Sequence, residues 1–306
     1  MVIQILYEGT DITEVTNITR CVCRDVSHGR ADSLELQFDH AAIWHLWAPK
    51  EDDKIIVNSD GYTTGTMYLN AIMPEGDGFR ILATALPSAA RRKAWDTYQN
   101  MTLENIVGRC AAEAGMSAKL YGADGNLKYR FLMRENEGAA AFIEWLGTLE
   151  GLAVKAVHGA FRGISIDYAQ KRDPVESLYI DEANDGAQYT RKEIYKISTL
   201  TVLSPYARVS ASDSNAAYGS QRIVNLPAMD AVQAGRWARG LLMAHNRKAE
   251  TLSINSAFNP KMEALMRVDV EGTEDSKGSW IVDEVQHDLI ERTSSTRLLR
   301  VIDSIR

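Results

Sequence analysis

The chain is poor in cysteine, in long apolar runs and in positive charge. Its 306 residues include three cysteines, Cys21, Cys23 and Cys110. So odd and sparse a set frames no disulfide scaffold and fits a reducing compartment. Cys21 and Cys23 stand two apart and share one face of a strand. A redox pair would use the CxxC spacing, and a zinc site would need two more ligands nearby. They read as free thiols, buried or half-buried. No stretch approaches the roughly 20 apolar residues that span a bilayer. The N-terminal segment Met1 to Tyr7 has no positive region and no cleavage site, so it is expected to be a first strand rather than a signal peptide. The net charge is −7, an acidic balance that argues against sequence-specific nucleic-acid binding, which needs a basic face for phosphates. The short run Arg91-Arg92-Lys93 reads as a solvated linker.

Signatures of catalysis are missing as well. There is no GxSxG, HExxH, P-loop or GxGxxG pattern. His40 and His45, with Asp39 beside them, have no clear third metal ligand, and the Trp44 and Trp47 among them suit an interaction surface better. Asp124-Gly125-Asn126 is a turn whose later positions do not continue as a calcium loop. Glu135, Glu137 and Glu144 could act as general acids. Glu135 and Glu137 fall where a helix should open, where acids usually serve the dipole. His287 is placed in an edge-like strand. No catalytic, cofactor-binding or metal site is expected.

What the chain does have is a pattern that occurs twice. Leu34 to Phe38, Lys54 to Val57, Met67 to Ile72 and Phe79 to Ala85 alternate apolar and polar residues between Gly, Asp and Ser clusters, as antiparallel strands do. The same grammar returns in Thr251 to Ile254, Arg267 to Val270, Trp280 to Val285 and Arg297 to Ile302. A duplicated building block is a means of making rings.

Between the repeats the chain changes character. Thr102 caps a helix whose face is Leu103, Ile106, Val107, Cys110, Ala111 and Ala114, stopped by Gly115. A strand at Tyr129 to Met133 leads to a second helix, opened at Glu135 to Glu137, with the stripe Ala141, Phe142, Trp145, Leu146 and Leu149. A hairpin spans Leu152 to Tyr168. Beyond it, strands are expected near Leu178 to Ile180 and over Tyr195 to Val209, and an exposed loop over Ser210 to Ser220. Asp230 caps a helix to about Asn246 with Val232, Trp237, Leu241 and Leu242 as its apolar positions. The fold class is α+β and β-rich: two antiparallel β-barrel-like tube domains, 1–88 and 169–306, flank a small α/β domain, 89–168.

The segment Phe131 to Ile166 resembles the hub region of phage late control D proteins and of type VI secretion spike proteins, in which a strand leads to an acidic residue, a helix ending in Glu-Gly and a hairpin. The matching positions are Glu135, Phe142, Leu146, Glu150 and Gly151. Arg92 to Met116 resembles the family's preceding helix. Ala31 to His40 resembles its first barrel, and Asn259 to Leu289 its second. The resemblance covers nearly the whole chain through loose motifs in a shared order. It implies a structural baseplate hub, not an enzyme: a homotrimer forming a pseudo-six-fold ring between the tail tube protein and the spike protein, among other baseplate proteins. The setting it implies is a virion tail or tail-like particle, with synthesis in the host cytoplasm. Because the sequence closes just after the second repeat, the spike needle and any hydrolase are expected on separate chains. The alternative is a peptidoglycan-cleaving tail-associated enzyme.

Overall fold

The computed structural model describes residues 3–40, 48–180, 186–216, 219–272 and 274–306. Alternation dictates the first run of strands: β1 (Ile3–Tyr7), β2 (Thr10–Asp11), β3 (Ile18–Val26), β4 (Ser33–Phe38), β5 (Lys54–Ser59), β6 (Tyr62–Thr63), β7 (Met67–Glu75) and β8 (Gly78–Thr84). In β4 every second residue, Leu34, Leu36 and Phe38, is buried, and β8 answers with Phe79, Ile81 and Ala83. Phe38 stacks on Phe79 with ring centroids 4.7 Å apart. Gly78 is required at the β7–β8 turn, because a Cβ there would stand 2.3 Å from the Phe38 carbonyl oxygen.

The middle of the chain supplies β9 (Lys93–Thr102), α1 (Leu103–Glu113), β10 (Ser117–Tyr121), β11 (Lys128–Gly138), α2 (Ala139–Leu149), β12 (Leu152–Val157), β13 (Ala160–Ser165) and α3 (Ile166–Lys171). The Thr102 side chain accepts from the Asn105 amide at 3.3 Å, as the cap expected of it. The second helix opens at Ala139, four residues later than Glu135. Arg134 turns inward to pair with Glu113, a bulge follows, and β11 continues to Gly138, the N-cap of α2. Ala141, expected in the buried stripe, is exposed, and Ile143 takes its place. Lys93, expected in the linker, already belongs to β9. The hairpin turns tightly at His158-Gly159, and its second arm ends at Ser165, whose side chain caps α3.

The last part contains β14 (Ser177–Tyr179), β15 (Gln188–Arg191), β16 (Ile197–Leu203), β17 (Arg208–Ser212), β18 (Ser220–Asn225), α4 (Ala231–Asn246), β19 (Glu250–Ala257), β20 (Arg267–Glu271), β21 (Gly278–Asp288) and β22 (Thr293–Arg300). Asp230 caps α4 as expected, but Val232 points to solvent, 71% exposed, and Trp237, Ala238 and Leu242 carry the buried face. The Ser210 to Ser220 segment is not simply an exposed loop. It begins inside β17, and Asp213 within it is buried, accepting from Asn246 Nδ2 at 2.7 Å and Ser304 Oγ at 2.6 Å.

The β-rich α+β character is as the sequence suggests. The two barrel-like units, however, are halves of one open sheet. Among the described residues it has fourteen strands along the path β15-β19-β22-β21-β3-β4-β8-β7-β5-β1-β2, with β20 carrying β14 beside β21 and with β6 on β5. The cause is β21. After a bulge between Val282 and Glu284 its second half leaves β20 and pairs with β3, Glu284 opposite Val26 and Asp288 opposite Val22. Pairing satisfies edge groups that two separate units would each leave open.

The repeat is confirmed strand by strand. The order β3-β4-β8-β7-β5 is matched by β15-β19-β22-β21-β20, antiparallel throughout. The registers superpose Ile55 on Val268, Met67 on Trp280 and Leu34 on Leu252. The bulge between Leu69 and Ala71 in β7 falls where β21 has its own. The copies differ at one edge, where β1 joins β5 antiparallel and β14 joins β20 in parallel.

Candidate functional site: buried junctions, a cleft and open edges

Several of the chain's buried polar side chains lie where its parts meet. Lys155 of β12 is buried against Asp25 of β3 and lies 3.5 Å from Asp32 Oδ2. Asp25 Oδ2 also accepts from the Ala264 amide at 3.0 Å, and Asp32 Oδ1 from the Val26 amide at 2.9 Å. One lysine and two carboxylates thus tie the first repeat, the middle and the second repeat together. Burial pushes Asp32 up to about 7, against the pull of Lys155 and with the push of Asp25. Lys155 is held above its ordinary value because its two carboxylates outweigh its burial.

A second junction surrounds Asp283, the bulged residue of β21. It accepts from Ser27 Oγ at 2.6 Å and Arg297 Nη2 at 2.6 Å, with buried Arg247 3.6 Å away. Burial would raise this carboxyl, but the Ser27 hydroxyl and the two guanidiniums hold it below its ordinary value. A third lies at the end of α2, where Glu150 accepts from Tyr129 Oη, Trp237 Nε1 and Arg236 Nε, each at 2.8 Å. The Glu150-Gly151 pair of the sequence motif is therefore a docking point for α4. Here Gly240 passes so close that a Cβ would stand 2.2 Å from the Leu149 carbonyl oxygen.

A cleft of about 670 Å³ opens between β7–β8, the start of β9 and α2. Glu137, Glu144, Arg30, Arg91 and Lys93 line it. Glu144 is raised by burial, partly countered by a hydrogen bond from the Gly29 backbone. Of the three candidate acids the structure brings Glu137 and Glu144 to one cleft. Glu135 is exposed on β11 and does not line it.

The remaining candidates are structural. Cys21 and Cys23 are buried and unbridged, and Cys110 Sγ lies 3.0 Å from Tyr98 Oη. Arg91 bonds Asn70, Thr84 and Leu86. Asp124 accepts from the Asn126 amide at 2.9 Å, closing the expected turn. His287 is not on an edge: β3 and β22 flank its strand, and it is fully buried beside Ser294 Oγ at 2.8 Å. Burial lowers its pKa. His40 is exposed, and no cluster of metal-binding side chains occurs among the described residues. His45, Trp44 and Trp47 lie outside them.

No family model and no curated protein matches the sequence. Solved structures do match the fold. A tail protein from Neisseria meningitidis is 13% identical with a TM-score of 0.76, covering 97% of this chain and 96% of that one. The 43 kDa tail protein of prophage MuSo2 from Shewanella oneidensis is 13% identical with a TM-score of 0.74, over 97% and 98%. An Escherichia coli component of the type VI secretion system, described as similar to T4 bacteriophage tail proteins, is 13% identical with a TM-score of 0.59, over 98% and 77%. The resemblance read from the sequence thus holds at the level of the fold, over nearly the whole chain.

Proposed function

We propose that this chain is a structural baseplate hub of a contractile phage tail or tail-like particle. Three copies form a ring of six similar units that joins the tail tube to the central spike. The observation that carries this reading is the repeat itself: two units of equal strand order, with the same bulge, set side by side in one sheet. Two units per chain and three chains give six, which resolves the mismatch between a trimeric spike and a six-fold tube. The shared fold with phage tail proteins supports the same setting. The reading assigns the chain no catalysis. Its buried acids are held by partners that join its parts.

The test is molar mass by light scattering across a concentration series. The expected result is a mass three times the 34.0 kDa chain. A monomer at every concentration, alone and with tube and spike proteins, overturns the reading. Hydrolysis of peptidoglycan by the purified chain, lost in Glu137→Gln or Glu144→Gln, would instead establish the enzymatic alternative.

A further inference from the structure

The repeat also specifies how one copy would join the next. In the second repeat the outer edge of β21 beyond its bulge, Glu284 to Asp288, is filled by β3 of the first repeat. The corresponding stretch of the first repeat is Ala71 to Glu75 of β7. It pairs with β8 on one side, while β5 reaches only Met67 and Tyr68 on the other. Among the described residues no strand fills that edge. The counterpart of β3 is β15, which pairs with β19 and, among the described residues, has no strand on its other edge. Among the described residues one joint is made, and the two halves of a second, matching joint are left over.

Exposure agrees. Val285 and His287 are buried where the joint is made, while their counterparts Ile72 and Pro74 are half-buried and exposed. Cys23 and Asp25 are buried, while their counterparts Tyr189 and Arg191 are half-buried and exposed. Just past β15, Ile194 and Tyr195 are 84% and 64% exposed, apolar surface of the kind that marks an interface.

We infer that β15 of one copy pairs antiparallel with Ala71 to Glu75 of a second copy, repeating between chains the β3–β21 joint made within each. The inference deepens the ring reading and rests on it. The register follows from the superposed repeats: Arg191 opposite Ile72, Thr190 opposite Met73, Tyr189 opposite Pro74 and Gln188 opposite Glu75. The contact is head-to-tail, so it generates a ring when the rotation closes. Pro74 has no N–H, so this joint lacks one donor that its counterpart has at His287. Proline on an edge also protects it from indiscriminate pairing.

A disulfide trap tests the register. The counterparts of Met73 and Thr190 are Gln286 and Arg24, whose side chains meet across the existing joint at 2.6 Å. Opposed strand residues have Cα separations of about 4.5–5.5 Å, within disulfide reach. The chain carrying Met73→Cys and Thr190→Cys is oxidised mildly and run without reductant. The expected result is bands at two and three times the chain mass that reductant abolishes. The control carries Ile72→Cys and Thr190→Cys, which a one-residue slip points to opposite faces, and it should stay uncrosslinked. Both exchanges lie on an unpaired edge, and an unchanged melting temperature establishes folding. A trimeric mass with no crosslink in the first variant overturns this joint and leaves the ring. A monomer without crosslinks overturns both.

Discussion

Lys155 shows how much of this molecule rests on single buried charges. Its ammonium is out of water and offsets two carboxylates contributed by another part of the fold. Lys155→Ala would strand both, and removing one partner from such a cluster costs about 3–5 kcal/mol. The expected outcome is a large drop in the midpoint of denaturant unfolding. Asp32 sets a pH dependence of unusual sign. Its pKa is raised from 3.8 to about 7 in the folded chain, so the folded state keeps a proton that the unfolded state has already lost. The stability this group contributes is therefore full below about pH 4 and is lost as pH rises toward 7. Asp32→Asn removes that titration. Over the same window the wild type should lose stability relative to the variant, as read from paired urea melts. An unchanged difference from pH 4 to 7 would show that Asp32 titrates normally.

Helix α4 ties the middle of the chain to its end, and two of its glycines mark how. At Gly240 an added methyl would meet the Leu149 carbonyl oxygen at 2.2 Å and the Gly151 amide at 2.8 Å, both backbone atoms that cannot rotate away. Gly240→Ala should destabilise by about 1–3 kcal/mol or more, the cost of overpacking. At Gly235 the same methyl would sit 3.5 Å from Val209 Cγ1, an ordinary contact. Gly235→Ala should therefore be neutral or stabilising by up to about 1 kcal/mol, because alanine is the better helix former. Thermal melts of the two variants should move in opposite directions. Helices α1 and α4 were legible in the sequence because a cap and a 3.6-residue apolar face are local signals. β9 was not, because its inward positions include Asp96 as well as Tyr98 and Ala94. β18 carries no alternation to read, being exposed at five of its six residues. Glu135 and Glu137 resembled a helix start because nothing local announces that Arg134 turns inward to Glu113.

At the scale of the whole molecule, the repeat was legible and its consequence was not. Alternation located eight strands of the repeat, the last of them, Arg297 to Ile302, set toward the C-terminus of the observed Thr293–Arg300, and it missed β3 and β15. The joint between the repeats has no local signature at all. Val26 and Glu284 lie far apart in the chain, and both strands look complete without each other. For the same reason His287 read as an edge residue although β3 covers it. The joint does predict a dynamic asymmetry between the copies. Backbone amides held in a filled ladder exchange with solvent only when it opens, whereas an open edge exchanges freely. In the isolated chain, peptides covering Glu284 to Asp288 should be strongly protected from deuterium exchange, and those covering Ala71 to Glu75 and Gln188 to Arg191 should be weakly protected. On assembly the latter two should slow together while the first stays as it was. Slowing at one edge without the other would place a different partner there, because a strand pair that closes a ring must protect both of its halves at once.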